Sequence, residues 1–132
     1  MKRILILLFA VMPCFVMAQK AEQDSLRLLF IGNSYTYYND LPKMVYEIAK
    51  SQRRKLSVKS VTKGGEKLSG HLTNQKLREM LTSQQWDYVV LQEQSSTPAK
   101  QTEVVIKESY PAAKSLDSLI HIGSPNAKLY FI

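Results

Sequence analysis

Three short groups of polar residues follow apolar runs of this chain and contain the side-chain types needed for acyl transfer. They are residues 32–34 (Gly-Asn-Ser), 64–66 (Gly-Gly-Glu) and 92–95 (Gln-Glu-Gln-Ser). A serine hydroxyl can act as the nucleophile, while glycine N–H groups and side-chain amides can stabilise an oxyanion. The three groups together predict nucleophilic catalysis by Ser34. The alternative is that Asn33 and Ser34 only cap a turn.

The elements that must position these groups can be predicted from the apolar pattern. Four apolar, β-prone runs are predicted to be strands: 26–31, 56–62, 86–91 and 128–132. Three segments with apolar residues at helical spacing are predicted to be helices: 41–49, 68–81 and 99–122. The last helix is expected to bend or break near Pro111. Alternating strands and helices predict an α/β fold with a parallel sheet in a three-layer helix–sheet–helix arrangement.

The first 18 residues are typical of an export signal. Two basic residues precede the apolar run 4–11, Pro13 ends that run, and Ala18 provides a small residue for cleavage. The run is shorter than the ~20 residues of a membrane span. We therefore predict a signal peptide over 1–18, a single mature domain over 19–132, and a secreted or periplasmic location without stable membrane insertion.

Cysteine content and charge narrow the function classes. Cys14 is the single cysteine and lies in the predicted signal, so the mature chain has no disulfide and no cysteine-ligated metal. An uncleaved anchor and a lipoprotein signal at Cys14 are the less favoured alternatives. The formal net charge is +7, and basic residues at 53–55 follow a predicted helix, where they complement its dipole. A solvated face is favoured over nucleic-acid binding, because no recognition motif accompanies them.

Residues 30–35 (Phe-Ile-Gly-Asn-Ser-Tyr) resemble the first sequence block of the SGNH (GDSL-like) hydrolase superfamily. Its members are exported ester hydrolases with a flavodoxin-like sheet. The block usually reads Gly-Asp-Ser, and this chain has the asparagine variant of a largely uncharacterised bacterial branch. The resemblance covers roughly residues 26–132, the N-terminal part of such a domain. It implies that Ser34 is a nucleophile that attacks an ester carbonyl.

The resemblance also implies which groups form the oxyanion hole. The backbone N–H groups of Ser34 and Gly65 would be joined there by the side-chain amide of Gln94. The family's third block usually reads Gly-x-Asn-Asp, and Gln94 stands at the asparagine. Glutamine has the same amide on a longer side chain, and Gln92 is the alternative donor.

The histidine that the resemblance implies as the base is missing from the sequence. The family has an Asp-x-x-His motif near its C-terminus, and this chain has none. His71 follows the second polar group and is expected to support the site or lie on the surface rather than act as the base. His121 lies four residues after Asp117, at a spacing that places both on one helix face. We therefore expect the chain to be truncated at its C-terminus and to hydrolyse little.

The predicted function is an exported serine ester hydrolase that acts on a small-molecule or carbohydrate ester without cofactor or metal. The alternative is a non-catalytic carbohydrate- or acyl-binding module on the same fold. A flavodoxin-like nucleotide-binding domain is a third interpretation. It is disfavoured because residues 32–34 lack the spacing of Gly-x-Gly-x-x-Gly and the P-loop lysine. Tyrosines at 35, 37 and 38 either line a carbohydrate cleft or pack beneath the first helix.

Overall fold

The computed structural model describes residues 25–132, which form a four-stranded parallel sheet flanked by helices. The strands are β1 (Leu26–Gly32), β2 (Leu56–Thr62), β3 (Tyr88–Leu91) and β4 (Lys128–Phe131). Their order in the sheet is β2-β1-β3-β4, which is the order of flavodoxin-like sheets. The predicted three-layer α/β fold is confirmed. The predicted signal peptide lies outside the described residues.

The register of the sheet aligns the carboxyl ends of the strands. β1 pairs with β2 from Leu26 opposite Leu56 to Gly32 opposite Thr62. On its other side β1 pairs with β3, and this ladder ends with Ile31 opposite the last residue of that strand. The three polar groups predicted from the sequence follow β1, β2 and β3, so they all emerge at the same edge of the sheet.

Five helices connect the strands within residues 25–132. They are α1 (Ser34–Tyr37), α2 (Leu41–Ser51), α3 (Leu68–His71), α4 (Gln75–Ser83) and α5 (Thr102–Gly123). None of them is long and apolar enough to cross a membrane.

One helix prediction was wrong. The segment predicted as one helix over 68–81 contains both α3 and α4, because Asn74 begins a new helix by accepting a hydrogen bond from the N–H of Leu77 at 3.1 Å. The last helix was predicted to bend or break near Pro111, and the structure shows no break, since α5 is one helix that includes this proline. Proline removes one helical hydrogen bond, and the buried face of α5 offsets that loss.

The core lies on the face of the sheet that α4 and α5 cover. Its fully buried apolar side chains come from three strands and three helices: Leu29, Ile31, Val61, Val89, Leu91, Leu68, Leu77, Leu116 and Ile120. Burial of one such side chain stabilises the fold by ~1.5–3 kcal/mol. In contrast, α2 has no buried residue, and its Met44 and Ile48 are more than half exposed. The face of the sheet that contacts α4 and α5 therefore provides most of the stability.

Candidate active site

Ser34 is the first residue of α1 and follows β1 after the buried Asn33. The side chain of Asn33 caps α1 by accepting a hydrogen bond from the N–H of Tyr35 at 3.2 Å. Ser34 itself is partly exposed, and its hydroxyl has no hydrogen-bond partner within residues 25–132. Asn33 therefore forms the turn, as in the capping alternative, while the Ser34 hydroxyl is left unengaged.

Gln92, the first residue after β3, is hydrogen-bonded to the turn of Asn33 and Ser34, which we call the serine turn. Its Oε1 accepts hydrogen bonds from the backbone N–H of Asn33 and from the hydroxyl of Thr36, both at 3.0 Å. Its side-chain amide donates to the carbonyl of Glu93. Gln92 is 6% exposed and Thr36 is fully buried. Because unmade hydrogen bonds at buried groups are costly, this network fixes the position of the serine turn.

The loop after β2 is joined to the serine turn by one side-chain hydrogen bond. The amide of Asn33 donates to the carbonyl of Glu66 at 3.0 Å. Gly65 has a φ of +69°, a conformation that glycine adopts readily. It is exposed, and its N–H has no partner within the described part of the chain. The structure therefore brings the glycine loop close to the serine turn with one N–H unengaged.

Gln94 belongs to a turn that leads away from β3. Its Oε1 accepts hydrogen bonds from the backbone N–H of Ser96 at 2.9 Å and from the hydroxyl of the same residue at 2.6 Å. Its side-chain amide has no partner among residues 25–132. One end of this side chain is therefore held, while the donor end is unengaged.

A pocket of about 280 Å³ adjoins the serine. Ser34 lines it together with Tyr35, Tyr38 and Asn39. The two tyrosine side chains are 70% and 81% exposed. Gly65 and Gln94 do not line this pocket. Tyrosine combines an apolar ring with a polar hydroxyl, so the pocket offers both stacking and hydrogen bonding to a small ligand beside Ser34.

His71 is buried behind the serine turn and contacts its backbone. The ring is 1% exposed, and its Nε2 lies 2.9 Å from the carbonyl oxygen of Gly32. Because a carbonyl only accepts, Nε2 must carry the proton and donate. Burial lowers the pKa of His71 below its ordinary value. Nδ1 has no partner within residues 25–132. His71 is therefore a neutral ring that supports the turn, which agrees with the predicted supporting role.

His121 lies at the opposite edge of the sheet from Ser34. Its Nδ1 is 2.9 Å from the carbonyl oxygen of Asp117, and its Nε2 is 3.1 Å from that of Ala127, which directly precedes β4. The Asp117 carboxylate lies 3.0 Å from Nδ1, as the helical spacing suggests. The hydrogen bond to the Asp117 carbonyl raises the pKa of His121. The structure does not bring this histidine to the serine.

Sequence reasoning missed the role of Glu93. This carboxylate accepts hydrogen bonds from the backbone N–H groups of Leu68 at 3.1 Å and Gln94 at 2.7 Å. Its other oxygen accepts from the hydroxyl of Ser109 at 2.8 Å. Glu93 thereby joins α3, the loop after β3 and α5. The signal that could have found it is an acidic residue two positions after the end of an apolar strand.

Comparison with known proteins gives a distant likeness to solved structures. No protein-family model matches the chain, and no curated protein matches it. Among solved structures, the chain is similar to the crystal structure of the lipase Lip_vut3 from a goat rumen metagenome, with a TM-score of 0.49 and 12% sequence identity. The similarity covers 81% of this chain and 63% of the lipase chain, so this chain spans less than two thirds of that protein.

Metal ligation is not supported by the described residues. Residues 25–132 contain no group of three or more histidine, cysteine, aspartate or glutamate side chains that could hold a metal ion.

Proposed function

We propose that this chain is an exported SGNH-type serine ester hydrolase with Ser34 as the nucleophile. The observation that supports this most is the contrast at the end of β1. Asn33 is buried and held by three side-chain hydrogen bonds, while the next residue is partly exposed with its hydroxyl unengaged. A nucleophile on a rigid turn at the carboxyl edge of a parallel sheet is suited to attack a bound carbonyl.

The same proposal assigns the oxyanion donors. The backbone N–H groups of Ser34 and Gly65 have no partner within residues 25–132, and neither does the amide of Gln94. Gln92 is the poorer candidate, because its amide donates to the Glu93 carbonyl and its Oε1 is occupied. Donors that have no competing partner can stabilise charge as it develops on the carbonyl oxygen.

Activation of Ser34 requires a general base that none of the described residues provides. His71 donates to the carbonyl of Gly32, and His121 lies at the other edge of the sheet. We therefore expect residues 25–132 alone to hydrolyse esters slowly, because a triad serine without its base loses most of its activity.

The proposed substrate is a small-molecule ester, with carbohydrate esters as one candidate class. The exposed Tyr35 and Tyr38 beside Ser34 favour a ligand that has both apolar faces and hydroxyl groups. Such substrates would be met outside the cytoplasm, which agrees with the export signal predicted from the sequence.

The test is covalent labelling with a fluorophosphonate probe in the presence of imidazole, which can replace a missing base. Intact mass and peptide mapping would follow the adduct on the full chain. We expect one adduct, on Ser34, that is absent from Ser34→Ala and kept by Ser69→Ala, a variant of another exposed serine at the same edge. Labelling that is equal in Ser34→Ala, or absent from the folded wild type, would contradict the proposal.

A non-catalytic binding module is the second candidate function. The observation that favours it is that neither histidine among the described residues contacts Ser34. Saturable binding of an acetylated sugar, with no fluorophosphonate adduct on Ser34, would support this alternative.

A further inference from the structure

A second pocket, which we call the α5 pocket, opens near the same edge of the sheet. Its volume is about 500 Å³, within the ~300–1,000 Å³ of small-molecule sites. Apolar walls come from Leu68 at the start of α3, Val105 and Ala113 of α5, and Phe131 and Ile132 at the end of β4. The α5 pocket shares no residue with the tyrosine-lined pocket of Ser34.

Two of the three polar side chains that line the α5 pocket, Glu93 and Ser109, are occupied by internal hydrogen bonds. The hydroxyl of Ser109 donates to Glu93, and the carboxylate of Glu93 also accepts from two backbone N–H groups. Glu93 and Ser109 therefore have little free hydrogen-bonding capacity for a polar ligand. Apart from the hydroxyl of Tyr110, the surface that remains for a ligand is apolar, and removing it from water is favourable. The lining thus favours an apolar group over a sugar.

Hydrogen bonds to the end of β3 connect the wall of the α5 pocket with the turn that carries Ser34. The N–H of Ile132 donates to the carbonyl of Leu91 at 3.1 Å, and the next residue, Gln92, holds the N–H of Asn33. β3 lies between β1 and β4. Since neighbouring strands are ~4.8 Å apart, the β4 wall of the pocket lies about 10 Å from the end of β1. A chain of several methylene groups can span that distance.

We propose that the α5 pocket binds the apolar acyl chain of a medium-chain ester. The relation of this pocket to Ser34 rests on the proposed function, but binding to the pocket does not. Occupation by an acyl chain would direct the ester carbonyl along the edge of the sheet toward the serine turn. The pocket would thereby select esters by chain length, while the tyrosine-lined pocket receives the alcohol portion.

The experiment is a titration of the isotopically labelled full chain with methyl octanoate. The chemical shifts of the backbone amides, measured by NMR, report binding. Methyl octanoate and the comparison ester, methyl acetate, are both uncharged, so the carboxylate of Glu93 in the pocket wall repels neither of them. We expect saturable shifts at Val105 and Ala113 with methyl octanoate, and at least tenfold weaker binding of methyl acetate. Val105→Asp is expected to weaken methyl octanoate binding at least tenfold. Val104→Asp is the matched control, because the neighbouring valine does not line the pocket.

Three results would overturn the acyl-chain proposal. One is the absence of saturable shifts, and another is equal weakening by the two valine variants. The third is self-association that Val105→Asp abolishes without any ester binding, since the pocket would then be an interface between copies.

The proposal and the assigned activity can fail separately. Methyl octanoate binding that persists in Ser34→Ala supports the α5 pocket whether or not Ser34 reacts. A fluorophosphonate adduct on Ser34 without methyl octanoate shifts would leave the hydrolase proposal in place and overturn the acyl-chain site.

Discussion

The ends of β1 and β2 lie side by side at one edge of the sheet, yet they are held very differently. At the end of β1, Asn33 and Thr36 are buried and hydrogen-bonded to Gln92 of the neighbouring loop. At the end of β2, Gly65 is exposed and unbonded, and its loop is joined to Asn33 through the carbonyl of Glu66. Segments with few buried contacts open more easily than buried networks. The turn that carries Ser34 is therefore fixed, whereas the loop that carries Gly65 can adjust to a ligand.

Replacing Gln92 with leucine is expected to have the largest effect on this contrast. The change leaves the N–H of Asn33 and the hydroxyl of Thr36 buried without an acceptor. Each unsatisfied group costs ~1–3 kcal/mol, so the free energy of unfolding should fall by about 2–6 kcal/mol for the two groups. Urea unfolding, monitored by circular dichroism, measures this difference in the free energy of unfolding between Gln92→Leu and the wild type.

Gln94→Leu is the matched control for that experiment. Gln94 is partly exposed and accepts two hydrogen bonds from the exposed Ser96, while its bond from the hydroxyl of the buried Thr97 is long, at 3.4 Å, and therefore weak. Water can replace these bonds, so the free energy of unfolding should change by no more than about 0.5 kcal/mol. Equal losses in the two glutamine variants would mean that the end of β1 is not the more rigid region.

Gly32→Ala tests the end of β1 by adding a methyl group to a crowded position, whereas Gln92→Leu removes hydrogen bonds. A β-carbon at this position would lie 2.5 Å from Oγ1 of Thr36 and 2.8 Å from Oε1 of Gln92. Overpacking of this kind costs ~1–3 kcal/mol. At Gly64 the nearest atom is the Tyr37 hydroxyl at 3.0 Å, at the end of an exposed side chain. Thermal unfolding should show a clearly lower midpoint for Gly32→Ala than for Gly64→Ala, and the reverse order would contradict the comparison.

The difference between the two strand ends shows what local sequence patterns can predict. The apolar runs predicted all four strands and their common edge, because burial of a strand is encoded in consecutive residues. The cap at Asn74 is also a local signal, and attention to it would have separated α3 from α4. The bonds of Gln92 to residues 33 and 36 join positions more than 50 apart in the chain. No local pattern identifies such partners, so the anchor of the serine turn required the structure.

The two histidines make the stability of the fold depend on pH, and their contributions have opposite signs because their pKa values shift in opposite directions. Burial lowers the pKa of His71 in the folded chain, while the unfolded chain has the ordinary value of ~6.5. As pH falls below ~6.5, the unfolded state binds the proton first, so this residue makes the fold less stable in acid. The pKa of His121 is raised by its hydrogen bond to the Asp117 carbonyl. Its contribution is present below ~6.5 and is lost as pH rises through the folded pKa.

Urea unfolding at about pH 5 and about pH 8, on either side of ~6.5, separates these contributions. His71→Gln keeps an amide that can donate to the Gly32 carbonyl but cannot take up a proton, so the variant should lose less stability in acid than the wild type. His121→Gln should lose more in acid than the wild type, because it no longer gains from protonation. The effects of the two histidine variants are expected to be smaller than those of Gln92→Leu and Gly32→Ala, because they are confined to acidic pH. Identical pH slopes in both variants would show that the ring behind the serine turn is not held in its neutral form.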